Sequence, residues 1–586
     1  MYRILSAFGM TLTVFVSAAV AQQPPLGFIS KLGQEIDIRS GSRIIADDLA
    51  ANPVLLPDSN SPVTGGSPVP QIQLRGGNVQ VNNPAQDYVQ IFPGFRPFVH
   101  ATQSETSAAA FGRNIVVTYN DSTGIHVIQN PAGPGLIVDR AQLSSFAVSN
   151  DGGRTWKSGS IPPSPGASDT YGDPSVGVDR HGVFYFANLA ADASFNGTIQ
   201  VNKSTDGGNT WGPGVVVQVD NGSDKEWLAV GPDPAVKNRD NVYVTWASFQ
   251  NNGSCQLRFG SSTDGGVTWT AKTIFAPPAD PNPANPQNCV TFSNPTVDQI
   301  TGTLYVPFLN FSNSNQDFIR MLISDDAGAT FRLAVFDPKA PIPTAMAVTQ
   351  PGELTDCSFT NLRLTIHDAA NAGPGLFGLP QYINASRMTL QPAMAARNGK
   401  LYLAWSNSTS LIFGDPNGHS NVLFISSPDG GNTWTNPVVV NQLLSTDIHN
   451  VLPALAIDND PNDVHITYYA QHSNYTIDLN MANSHDGGNS FPASRTLSVT
   501  STSFNLPPTN IPLSGAPFYL STNYDRQIAQ CYALGEYQSV TTANGSVYAA
   551  WGDMRNLITE PVNSLNPISG QTHPQDDVFF QEVKAQ

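Results

Sequence analysis

The chain has 586 residues, 12% of them charged and 40% hydrophobic, with 49 Gly and 46 Pro. So few charges argue against a long-helix protein, and so many apolar residues argue against wholesale disorder. The balance of 28 Lys+Arg against 45 Asp+Glu, −17 overall and without a basic run, argues against nucleic acid and anionic membrane surfaces as partners.

In chain order, the first element is an address. Arg3 precedes an apolar run over residues 4–16, and Ala19-Val20-Ala21 supplies the small residues that signal peptidase accepts. Cleavage after Ala21 would leave Gln22 as the mature N-terminus of a secreted or periplasmic protein. The apolar run is too short for a membrane anchor. Residues 22–75, rich in Pro, Ser, Gly and Asn, read as a tail.

From about residue 76 the chain repeats itself. A short strand, a turn and an alternating aromatic strand recur as SETSAAAFGRNIVVTYND, GDPSVGVDRHGVFYFAN, KEWLAVGPDPAVKNRDNVYVTWAS, SNPTVDQITGTLYVPFLN, LQPAMAARNGKLYLAWSN, LPALAIDNDPNDVHITYYA and GEYQSVTTANGSVYAAWGD. After the first six units comes an eight-residue segment, Ser-x-Asp-x-Gly-x-Thr/Ser-aromatic: SNDGGRTW, STDGGNTW, STDGGVTW, SDDAGATF, SPDGGNTW and SHDGGNSF. Their aspartates, Asp151, Asp206, Asp264, Asp326, Asp429 and Asp486, lie 55, 58, 62, 103 and 57 residues apart. A carboxylate at a hairpin tip accepts bonds from the N–H groups of its own turn, Gly supplies the positive φ, and the aromatic packs as a plug. These six aspartates are therefore read as structural. The long interval holds an insertion at about 335–385, without an inner and aromatic strand pair of its own.

The eight-residue segment resembles the Asp-box, or BNR, repeat of sialidases and related β-propellers, and the likeness covers about residues 100–586. It implies an all-β propeller. Seven units favour seven blades, with six as the alternative. The seventh unit ends in DVFFQEVKAQ and lacks an outer strand, which residues 77–82 (GNVQVN) would supply.

In such a propeller the strand starts meet at one mouth. Stacking the units puts Glu105, Asp173, Glu226, Asn294, Gln391, Leu452 and Glu536 at equivalent positions, so four carboxylates converge. Like charges raise at least one pKa, which suits general-acid work, and the same cluster is a candidate Ca²⁺ holder, although no cofactor is required. Cys255 with Cys289, and Cys357 with Cys531, are the disulfides this map favours.

Sialidases clamp the sialic acid carboxylate with three arginines, use a Tyr activated by a Glu as nucleophile, and employ an Asp as acid/base. The resemblance implies Arg96 (Phe95-Arg96-Pro97), Arg526 and Arg555 as substrate-binding residues together with Glu105. It implies Asp173 as the acid and Glu536 with Tyr537 as the Glu/Tyr pair, and the converging strand starts add Glu226 to the catalytic candidates. Glu536 and Tyr537 are neighbours on a strand and would share the channel only at a bulge. Two functions follow as expectations: a secreted sialidase-like glycoside hydrolase acting on glycan termini, or a non-catalytic propeller that binds glycans or proteins. The net charge disfavours a sialic acid polymer unless the mouth is locally positive.

Overall fold

The computed structural model describes residues 77–89, 103–129, 136–250, 254–277, 289–350, 391–412, 418–442, 447–473, 476–498, 535–559 and 572–584, with a few isolated strand residues besides. The described residues are almost entirely strand and turn, arranged as successive antiparallel sheets. No helix among them is long and apolar enough to cross a membrane.

The repeat units build successive groups of antiparallel strands, the fifth and sixth joined into one sheet by a parallel bridge between Ser420 and His449. Gln103–Phe111, Asn114–Asp121, Ser144–Ser149 and Lys157–Ser160 form the first, which Ser67–Pro68 extends at its outer edge. Thr170–Val178 to Val215–Val219 form the second, and Ser223–Pro232 to Thr270–Phe275 the third. In the fourth, Leu304–Asn310 pairs inward with Val290–Thr291 and Thr296–Val297. On its other side lies Asp317–Ser324, along which both Arg332–Leu333 and Met346–Val348 run. The start of the expected insertion is thus edge strand, and residues 355–385 lie outside the described residues. Ala393–Arg397 opens the fifth group, Asp447–Ile457 the sixth and Ser539–Ala543 the seventh.

The innermost strands touch in sequence, Gln103–Phe111 to Thr170–Val178 and onward to Ser539–Ala543, which returns to Gln103–Phe111. The arrangement is propeller-like. Val79–Gln80 pairs with Thr572–Lys584 as the fourth strand of the last sheet. Behind it, Gln80 Nε2, Asn82 Nδ2, Asn556 Nδ2 and Gln575 Nε2 all donate to the buried Asp577 carboxylate.

The core lies between sheets. Trp246, Trp405 and Trp551, centred on the second strands, are almost fully buried, as the alternating pattern of those strands requires. The six repeated turns share one network. In the first, Asp151 Oδ1 accepts from the Arg154 and Thr155 N–H groups at 3.0 and 2.9 Å, and Oδ2 accepts from Thr155 Oγ1. Ser149 Oγ donates to Asp151 and accepts from Gly153 N. Asp206, Asp264, Asp326, Asp429 and Asp486 repeat the Thr or Ser contacts.

The glycines of these turns serve two ends. Gly487 and Gly488 hold φ of +73° and +85°, and a Cβ on Gly488 would come within 2.1 Å of Phe424 in the preceding group. Gly153 faces Phe580 of the last sheet in the same way. Each turn is therefore also the point where one group of strands presses on the group before it.

Candidate functional site

Five of the seven innermost strands carry a side chain-bearing residue with left-handed backbone near their start: Glu105 (φ 57°), Asp173 (53°), Lys225 (52°), Phe292 (52°) and Leu452 (52°); Gly535 (81°) does the same in the seventh. At Glu105, Asp173, Lys225 and Leu452 the strand register slips, between Ser104/Ser107, Gly172/Ser175, Asp224/Trp227 and Val451/Ala454. These are β-bulges, which re-aim side chains that a regular strand would alternate.

The bulges gather four residues into one buried ionic group. Lys225 Nζ bonds Glu536 Oε2 and lies 3.5 Å from Glu105 Oε2 and 3.8 Å from Asp173 Oδ1. Two aromatic faces complete the cage, with Tyr537 at 4.8 Å and Phe292 at 5.8 Å from ring centroid to Nζ. Asn120 ties the carboxylates together, donating to Glu105 Oε2 and accepting from Asp173 N. Glu536 N donates to Glu105 Oε1. The ammonium therefore fills the place where a hard cation would sit, and among the described residues no three His, Cys, Asp or Glu side chains are grouped to hold a metal ion.

Burial dominates the protonation of this group. It pushes Glu105 up to about 8, against the opposing pull of Lys225. Burial alone would lower the Lys225 pKa, but Asp173, Glu105 and Glu536 outweigh it and hold the ammonium above its ordinary range. Glu226 stands apart, one residue past the bulge. It is buried, both carboxyl oxygens lack a hydrogen bond, and burial with the neighbouring Asp173 charge raises its pKa well above the usual carboxyl value.

Glu536 and Tyr537 both line an axial cavity of about 190 Å³, ahead of the strand that begins at Ser539 and just after Gly535, whose backbone is left-handed. All seven innermost strands or their approaches contribute to its wall, through Ser107, Val176, Trp227, Asn294, Gln391, Leu452 and Gln538 among others. Trp227 and Tyr537 meet edge to face at 4.9 Å. Gln391 Oε1 is buried and has no hydrogen-bond partner among the described residues. The Tyr537 hydroxyl donates to Pro174 O at 3.4 Å, and burial first, then the surrounding carboxylates, raise its pKa well above normal. Such a phenol is a poor nucleophile.

The structure thus brings together Glu105, Asp173, Glu536, Tyr537 and, adjacent to them, Glu226. Lys225 was missed by sequence reasoning, which aligned Glu226 with Glu105 and Asp173; the bulge register assigns that place to Lys225. The signal was the single Lys at the head of SDKEWLAV. Arg555 is held elsewhere: its guanidinium bonds Asp553 and Asn78 Oδ1 and stacks 4.2 Å over Phe579. Arg96 and Arg526 lie outside the described residues, as do Cys357 and Cys531. Cys255 and Cys289 form a disulfide with Cα atoms 5.0 Å apart.

No family model and no curated protein matches the chain. Solved structures similar to it include an ulvan lyase of a new polysaccharide lyase family (10% identity, TM-score 0.42, covering 82% of this chain and 93% of that one). A Hadza microbial sialidase has 12% identity and a TM-score of 0.38, over 89% of this chain and 98% of that one. A Trypanosoma rangeli sialidase in complex with the inhibitor DANA has 12% identity and a TM-score of 0.34, over 88% of this chain and 57% of that one.

Proposed function

We propose that the chain is a seven-bladed Asp-box propeller, exported after removal of residues 1–21, that binds the end of a glycan in its axial cavity. One observation carries the reading. The cavity combines an aromatic pair, Trp227 and Tyr537, with polar side chains from separate sheets, one of which, Gln391, has a buried oxygen without a partner among the described residues. An aromatic face for the ring and buried acceptors for its hydroxyls are the means by which proteins hold sugars. The Cys255–Cys289 disulfide supports an oxidising compartment.

Hydrolysis is the second reading, favoured by Glu226. A carboxyl kept protonated beside Asp173 has the character of a general acid. The sialidase assignment of Tyr537 as nucleophile is less well supported, because its hydroxyl is bonded to Pro174 and Lys225 neutralises the nearest glutamate.

A glycan array and a fluorogenic glycoside panel, run with wild type and Glu226→Gln, test both readings. Binding without turnover supports the first. Turnover that Glu226→Gln abolishes supports the second. No binding to any glycan overturns both.

A further inference from the structure

Resting on the glycan reading of the axial cavity, we infer that the cavity selects an uncharged, hydroxyl-bearing sugar end and rejects a carboxylated one, with Gln391 as the residue that sets the preference.

The wall offers acceptors and withholds cations. Gln391 Oε1 is buried and unbonded among the described residues, and the Glu536 carboxylate faces the same space. No Lys or Arg side chain lines the cavity among the described residues. The amide donors of Gln538 are engaged by Leu452 O and Thr467 O. The nearest ammonium, Lys225, is shared among three carboxylates and covered by Tyr537 and Phe292.

A sugar hydroxyl entering this space can donate to Gln391 and Glu536 and replace the bonds it gave up to water. A carboxylate brings acceptors only, and sheds its hydration with no ammonium or guanidinium on the described wall to offset the loss. The volume of about 190 Å³ lies below the range of about 300–1,000 Å³ of drug-sized pockets, so one terminal ring is held rather than an internal stretch of chain.

The test is titration calorimetry on the full chain with oligosaccharides ending in glucose, galactose or mannose, each matched to the hexuronate-ended counterpart, and with a sialoside. The neutral member of each bound pair is expected to bind at least about tenfold more tightly, the penalty for desolvating a carboxylate beside no cation. Gln391→Leu is expected to weaken neutral binding by about three- to tenfold, the worth of one hydrogen bond, with an unchanged melting temperature. Gln391→Lys is expected to narrow the gap between neutral and carboxylated ligands. Hexuronates or the sialoside binding as tightly as neutral sugars would overturn the specificity while leaving the glycan reading standing. Silence across the whole panel would remove both.

Discussion

Replacing Lys225 by Met leaves the shape of the site and deletes its single positive charge. Three carboxylates lie within 3.8 Å of the ammonium, and at an effective dielectric of about 20 each such contact is worth roughly 4 kcal/mol. Most of that attraction offsets the cost of burying the ions, so the expected loss is that of breaking a buried ion pair, about 3–5 kcal/mol. Unfolding entropy of about 2.1 cal/mol/K per residue over the roughly 400 described residues converts this into a melting temperature lower by about 4–6 °C. The loss has a pH signature. Without the ammonium, the folded pKa of Glu105, already pushed up to about 8 by burial, rises further above its unfolded value, and a carboxyl so raised costs more stability as pH increases. Because the wild-type Glu105 keeps its proton up to about pH 8, differential scanning calorimetry should find a larger deficit for Lys225→Met at pH 9.5 than at pH 6. Adding Glu536→Gln to Lys225→Met should recover part of it. A deficit that stays flat between those pH values, or a double variant no more stable than the single one, would refute the charge argument.

In the fourth repeated turn Ala327 occupies the left-handed position (φ 58°) that Gly fills in the other five; Ala327→Gly should stabilise by about 0.5–1 kcal/mol, read as a small rise in melting temperature. His472 bridges Asp447 and Asp478 at 2.8 and 3.0 Å, and these bonds, that to Asp478 foremost, raise its pKa against the effect of burial. A raised His pKa gives stability that is present in full below about 6.5 and fades as pH climbs through the folded value, so His472→Gln should cost more at pH 5 than at pH 8 in thermal melts. Cys255→Ser with Cys289→Ser opens a cross-link spanning 34 residues, worth about 4 kcal/mol by loop entropy; denaturant titration should show that loss, and an unchanged midpoint would refute the loop-entropy account.

Much of the architecture was legible because it is local. The Ser, Asp, Gly and Thr/Ser of each turn bond within eight residues, so STDGGNTW and its relatives carry their geometry in their spelling. The aromatic second strands were legible by alternation, which is why Trp246, Trp405 and Trp551 lie where expected. The site was legible only in part, because its geometry depends on bulges. One extra residue at Lys225 shifts the register, so a side chain expected on Glu226 arrives from its neighbour. Glu536 and Tyr537 lie in the approach to the last innermost strand, after the left-handed Gly535, and so share a cavity that regular alternation would divide between them. Arg555 looked available as a free cation, yet Asp553 two residues earlier takes its guanidinium. Partners that close cannot be told from sequence spacing alone once a strand bends.

The clasp between Val79–Gln80 and Thr572–Lys584 joins residues nearly five hundred positions apart. Translation delivers the two halves of this seam at opposite ends of the process, so the last sheet waits with a bare rim until both are present. Asp577, held by amides from both halves, is a checkpoint for that event: its carboxylate finds its full set of donors only once the circle is shut.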